Sequence, residues 1–274
     1  MASQVADFFQ MPKTKITDSE VEAMLSKFKS GVTKDKPDSR DYIFDPPKPM
    51  ILSLPPSVDL SPLCPPIIDQ DGLGSCVSNA IANQVLFDQM KQGWASPWLP
   101  SRLFMYYSQR ALEGSLATGG DCGSSIRDGM KAINRVGYCP ETDWPYTPSN
   151  YNVKPPSSCY TTALQHKSIL YQRVPQNLDM IKTALYSGFP VVYSISVYDS
   201  FFSSGGVVPM PPNGDHLAGG HGVLMVGYND TAQRFLSMNS WGAGWGLSGY
   251  FTIPYEYIMD QVLTSDLWVL YDVG

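Results

Sequence analysis

A chain of 274 residues with 43% hydrophobic and 16% charged residues is long and apolar enough for one large domain or two packed lobes, and too apolar for disorder. A formal net charge of −6 with no Lys/Arg cluster argues against a nucleic-acid partner, and no apolar run approaches the roughly 18–20 residues of a membrane span. The opening stretch MASQVADFFQMPKTK has no basic segment followed by an apolar one, so no signal peptide is expected and the compartment stays open.

In chain order, residues 1–53 read as an arm distinct from the body at 54–274. Thr17-Asp18-Ser19-Glu20 has the form of a capping box, and Val21, Met24, Leu25 and Phe28 follow with helical spacing. KDKPDSRDYIFDPPKPM is then an extended, polar connector. One short helix is marginal alone, so its apolar stripe must dock on the body.

From about 54 to 165 the pattern is mainly helical. Val77, Ala80, Ile81 and Val85 form one face, and Leu103 to Leu112 and Ser124 to Val136 predict two more helices. PETDWPYTPSNYNVKPPSS reads as a long loop; Leu178, Ile181 and Leu185 mark another helix. From about 166 to 274, VVYSISV, GVLMVGY, RFLSMNS, GYFTIP and LWVLY read as strands between Gly- and Pro-rich turns. Helices first and strands later predict an α+β arrangement of two lobes.

Chemistry concentrates at few places. In DQDGLGSCVSNAIANQV, Cys76 stands where a glycine-rich stretch enters a helix. Unpaired N–H groups and partial positive charge collect there, which favours a thiolate. A small buried thiol is the alternative. The five cysteines, Cys64, Cys76, Cys122, Cys139 and Cys159, leave at least one unpaired within the chain. A cysteine nucleophile needs a base and an orienting partner. His166 has no notable surroundings, His216 lies in the polar loop NGDHLAGG, and His221 opens the strand in GGHGVLMVGY. Asn239 follows in MNSWGAGWGLSGYF. There is no C-x-x-C, and His216 and His221 are badly spaced for a metal, so neither metal nor cofactor is expected. Gly244-x-Gly246-x-x-Gly249 does not join a strand to a helix and is set aside as a dinucleotide site. Asn229-Asp230-Thr231 is a glycosylation sequon, meaningful in a secreted chain.

The order Cys76, His221, Asn239 carries more than its parts. With Gln70, Gly74-Ser75-Cys76, GHGVLMVGY, Asn239-Ser240-Trp241-Gly242, Gly244-Trp245-Gly246 and Gly249-Tyr250, the chain from about residue 56 onward closely resembles the papain family of cysteine proteases. The resemblance implies a helical lobe carrying Cys76, a β-barrel lobe carrying His221 and Asn239, and a cleft between them that binds peptide. It implies a Cys76 thiolate beside a His221 imidazolium, Asn239 orienting the ring, and Trp241 shielding that bond. Gln70 and the Cys76 backbone N–H would form the oxyanion hole. Ser124, Ser125, Gly219, Gly220 and Trp241 would line the substrate site, with Asp266 at its floor, where it would accept a basic residue if it points inward.

The chain departs from the family pattern at several places, among them Ser124 and Ser125, which stand near the family's two glycines. Leu73 replaces a cysteine, so Cys122 loses its expected partner and either pairs with Cys159 or stays free. Val77 replaces a tryptophan. The arm at 1–53 lacks the family's longer prosegment signature; it is expected to drape over the lobes and cover the cleft. Peptide hydrolysis is the reading favoured here, over a protease-like binding module and over acyl transfer to amines, whose related triads normally end in aspartate.

Overall fold

The structure, a computed structural model, describes residues 7–51 and 53–273. Seven antiparallel strands form one sheet: β1 (Ser57–Asp59), β2 (Ser168–Arg173), β3 (Val191–Tyr198), β4 (Leu217–Asn229), β5 (Arg234–Met238), β6 (Tyr250–Pro254) and β7 (Thr264–Val273). The order is β2-β7-β3-β4-β5-β6, with β1 also paired to β4.

The apolar run in β4 explains the layers. Alternate side chains of a strand point to opposite faces. Val223 and Met225 join a core with Ile181, Leu185, Phe201 and Phe251, while Leu224 and Val226 join a second core with Val77, Ile81, Val85 and Trp268. Both faces are buried, so the run is continuous rather than alternating. The strand pairings follow an open path between β2 and β6 instead of a hydrogen-bonded ring. Each end is covered by irregular chain. Tyr42 and Phe44 bond to Arg173 on β2, and Gly206 and Val208 bond to Thr252 on β6. These contacts satisfy edge groups that would otherwise invite pairing with another chain.

The helix Cys76–Lys91 lies against β4 and β7, and the helices Arg102–Glu113 and Ile126–Arg135 complete that lobe. The expected face of Val77, Ala80, Ile81 and Val85 is buried, but so are Asn79, Asn83, Gln84 and Gln89. The helix is central, so its polar side chains must find partners inside. Gln84 donates to the Pro190 carbonyl, and Gln89 accepts from the Trp98 N–H. The proline-rich stretch read as one loop is irregular apart from a single turn at Pro148–Asn150, and a short helix, Ser157–Ala163, begins at its last two residues.

In the arm, a helix spans Asp18–Lys27, with the Thr17 and Glu20 side chains forming the reciprocal capping box. Val21, Met24, Leu25 and Phe28 pack on the core of the strand-rich lobe, and Phe44 is buried within it.

Candidate active site

Cys76 is the first residue of its helix and is fully buried. Ser75 precedes it without capping the helix; its hydroxyl bonds to Tyr146 and Asn79 instead. The first-turn N–H groups therefore stay directed at the thiol end. The helix start abuts β4 at Gly222, where an added Cβ would lie 3.3 Å from the Val77 nitrogen. This close approach sets Cys76 beside the residue that follows His221.

His221 Nε2 lies 2.8 Å from Asn239 Oδ1, and both residues are buried. An amide oxygen only accepts, so Nε2 carries the proton and the other ring nitrogen of neutral His221 is the bare one. The Trp241 ring stacks on the imidazole at 4.8 Å and lies parallel to Phe202 at 5.2 Å. Gln70 is held at both ends of its amide: Nε2 donates to the Leu73 carbonyl and Oε1 accepts from the Ser240 hydroxyl. One Nε2 hydrogen is thereby used and a second is left to donate.

The arm crosses this site. Phe28 sits edge-on to His221, Trp241 and Phe202, with ring centroids 6.0, 5.8 and 5.3 Å away. Gly31 lies on the thiol: an added Cβ would be 2.6 Å from Cys76 Sγ and 2.7 Å from the Gly74 oxygen. The Gly31 N–H donates to the Gly220 carbonyl and its carbonyl accepts from the Ser124 N–H. Burial pushes the Cys76 thiol up to about 12, against the Gly222 and Val77 N–H groups that pull it down. Burial also pushes His221 down to about 4, against the Asn239 bond. The resemblance implies an ion pair, but the covered pair is driven to its neutral forms because water is shut out.

The expected substrate-site residues divide. Ser124 offers both backbone groups to the arm, bonding Gly31 and Thr33, while its hydroxyl turns inward to Gln109. Gly219 and Gly220 face the arm as well; the Gly220 N–H donates to the Ser30 hydroxyl. Ser125 makes its hydrogen bonds elsewhere. Its hydroxyl caps the helix Ile126–Arg135 and its N–H donates to Glu113. Asp266 does not present a free carboxylate: it is buried, 3.3 Å from Arg173, and accepts from the Asp35 N–H. The pairing of Cys122 with Cys159 does not occur. All five cysteines are free; Cys122 is exposed, and Cys159 is buried in a cluster with Cys139 and Phe104. Leu73, at the missing cysteine, packs with Leu103 and Tyr106.

Sequence reasoning missed a buried ionic knot that fixes the arm. Asp35 bonds to Arg173 at 2.7 Å, to the Trp268 indole at 2.9 Å and to the Arg127 N–H at 3.1 Å. Asp41 pairs with Arg127 at 2.6 Å and Arg173 at 2.9 Å. Arg173 also lies over the Trp268 ring. The connector's acidic residues were the available signal, but nothing local names their partners. Among the described residues no cluster of metal-binding side chains is present, and no helix is long and apolar enough to cross a membrane.

Comparison with known proteins matches residues 55–264 to the family described as papain family cysteine protease. An uncharacterized peptidase C1-like protein, L477, of Acanthamoeba polyphaga mimivirus is 41% identical over 250 residues, 87% of this chain and 77% of that protein. A gut-specific cysteine proteinase of Caenorhabditis elegans is 28% identical over 69% of this chain, which spans 53% of that protein. Among solved structures, xylellain, a cysteine protease from Xylella fastidiosa, superposes with a TM-score of 0.84 at 38% identity, covering 89% of this chain and 97% of that one.

Proposed function

This chain belongs to the papain family of cysteine proteases, with that family's α+β fold, and from that premise we propose that it hydrolyses peptide bonds through Cys76, His221 and Asn239. Gln70 and the Cys76 N–H serve as oxyanion donors, and the N-terminal arm holds the enzyme as a self-covered zymogen. On this reading residues 1–53 are the arm and 54–274 the peptidase domain, helical to about 165 and strand-rich beyond.

The buried His221–Asn239 hydrogen bond carries the reading. It fixes the tautomer, so the bare nitrogen can take the thiol proton once water and substrate replace the arm. Imidazolium and helix N-terminus then stabilise the thiolate, which in such pairs falls to roughly pKa 3–4. The thiolate attacks the scissile carbonyl, and Gln70 Nε2–H and the Cys76 N–H receive the developing oxyanion, a contribution of about 3 kcal/mol per donor. His221 gives its proton to the leaving amine. It next takes one from water, which attacks the acyl-enzyme and releases the free acid and Cys76. Asn239 holds the ring through both halves, and Trp241 keeps water from their bond.

The test is hydrolysis of a mixed peptide library by the full-length chain and by a truncation lacking residues 1–33, which keeps Asp35. Turnover should be low in the first, high in the second, and lost from both with Cys76→Ala. Equal turnover in the two would discard the zymogen, and turnover that survives Cys76→Ala would discard the mechanism.

A further inference from the structure

We propose that Asp121 selects a Lys or Arg side chain in the subsite next to the nucleophile. This deepens the hydrolase reading and rests on it. Asp121 lies in the loop GGDCGSSIRDG, and its carboxylate is tied to the nucleophile loop: both oxygens accept from the Gly74 N–H, at 3.1 and 2.9 Å. Gly74 stands two residues before Cys76, and its carbonyl and Cys76 Sγ are the atoms on which Gly31 lies. The carboxylate thus borders whatever chain rests on the sulfur. Tyr106 donates a further hydrogen bond at 2.6 Å, which fixes its orientation.

Neither of those donors is a cation. The Asp121 side chain is 8% exposed, and its ion-pair partner among the described residues is Lys29 of the arm, at 3.3 Å and 56% exposed. The cation reaches in from solvent to a carboxylate that the body holds in place. When the arm leaves, a carboxylate tied to the body loses its counter-charge, which is unfavourable until another cation replaces it. A basic substrate side chain does so; an apolar one leaves it unpaired. Two more carboxylates of the body agree in sign, since Asp69 and Asp71 line a cavity with the arm's Lys27 and Lys29. Asp266 cannot take this role because Arg173 already occupies it.

The experiment uses the full-length chain carrying Gly31→Leu to displace the arm and Lys29→Met to remove the internal cation. Peptides differing by Arg or Leu at the residue nearest the cut are compared by kcat/KM. The Arg/Leu ratio should exceed one and fall about five-fold when Asp121→Asn is added, as expected for a lost ion pair at a partly open site. A loop-tying role alone would depress both substrates together and leave the ratio unchanged, which overturns the proposal while the hydrolase reading stands. Hydrolysis of no peptide at all would overturn both. Should Asp121→Asn fail to fold, salt decides on the Asp121 chain: high ionic strength should erode the Arg/Leu ratio, and a salt-independent ratio rejects the ion pair.

Discussion

At the scale of one residue, Gly31 decides whether the thiol is available. It fits over Cys76 because it lacks a Cβ, which would overlap Sγ and the Gly74 carbonyl. The extended segment around Gly31 must lift if a side chain is placed there. Gly31→Leu in the full-length chain should therefore uncover the site without removing residues. The covered thiol, pushed up to about 12, holds almost no thiolate at pH 7, whereas an uncovered pair with a thiol near pKa 3–4 is nearly all thiolate. Alkylation of Cys76 at pH 7 should then rise by about a hundredfold or more. An unchanged rate would mean that Gly31 is not what covers Cys76. The Phe28 ring, edge-on to His221 and Trp241, covers the other half of the pair at the same scale.

At the scale of elements, the arm has a helix that docks, an extended segment that covers and a knot that anchors. Asp35 and Asp41 meet Arg127 from the helical lobe and Arg173 from β2, so the anchor joins both lobes as well as the arm. Removing one partner of a buried pair costs about 3–5 kcal/mol. Asp35→Ala should lower Tm by roughly 6–20 °C, read by calorimetry. A truncation of residues 1–50, which also removes Asp41 and Phe44, should be less stable still, and one of 1–33 should not. Equal Tm values for the two truncations would show that the knot contributes nothing. These elements also divide what sequence reveals. The β4 run, the capping box at Thr17 and Glu20, and the short motifs around Gln70, Cys76, His221 and Asn239 are local words, legible because each is fixed by its own neighbours. Asp35 and Arg173 are 138 residues apart. A Pro-rich charged stretch looks solvated until the fold brings those guanidiniums to it. The same limit applies to Asp266, which from sequence alone looked free to take a substrate cation.

At the scale of the whole molecule the question is what opens the cover, and proton bookkeeping argues against simple acidification. Beyond the His221 Nε2 proton, which both states keep, the covered site holds one titrating proton, on Cys76, between pH of about 4 and about 12. The uncovered pair also holds one proton, moved to His221, down to roughly pH 3–4. Opening is thus an internal proton transfer, and the site gives no pH dependence from about 4 to neutrality. The knot supplies the remaining linkage. Asp35 is raised above 3.8, by burial first and by the neighbouring Asp266 charge second, against Trp268, Arg173 and the Arg127 N–H. A carboxyl raised in the docked state binds its proton more tightly there. Docking therefore strengthens as pH falls through the docked value of Asp35, and the gain is complete near 3.8. Alkylation of Cys76 in the full-length chain should stay slow from pH 8 to pH 5, while Gly31→Leu stays fast throughout. Acceleration of the full-length chain on acidification within that range would show that some other group drives opening. Its loss in a variant with Asp35→Asn would place that group in the knot.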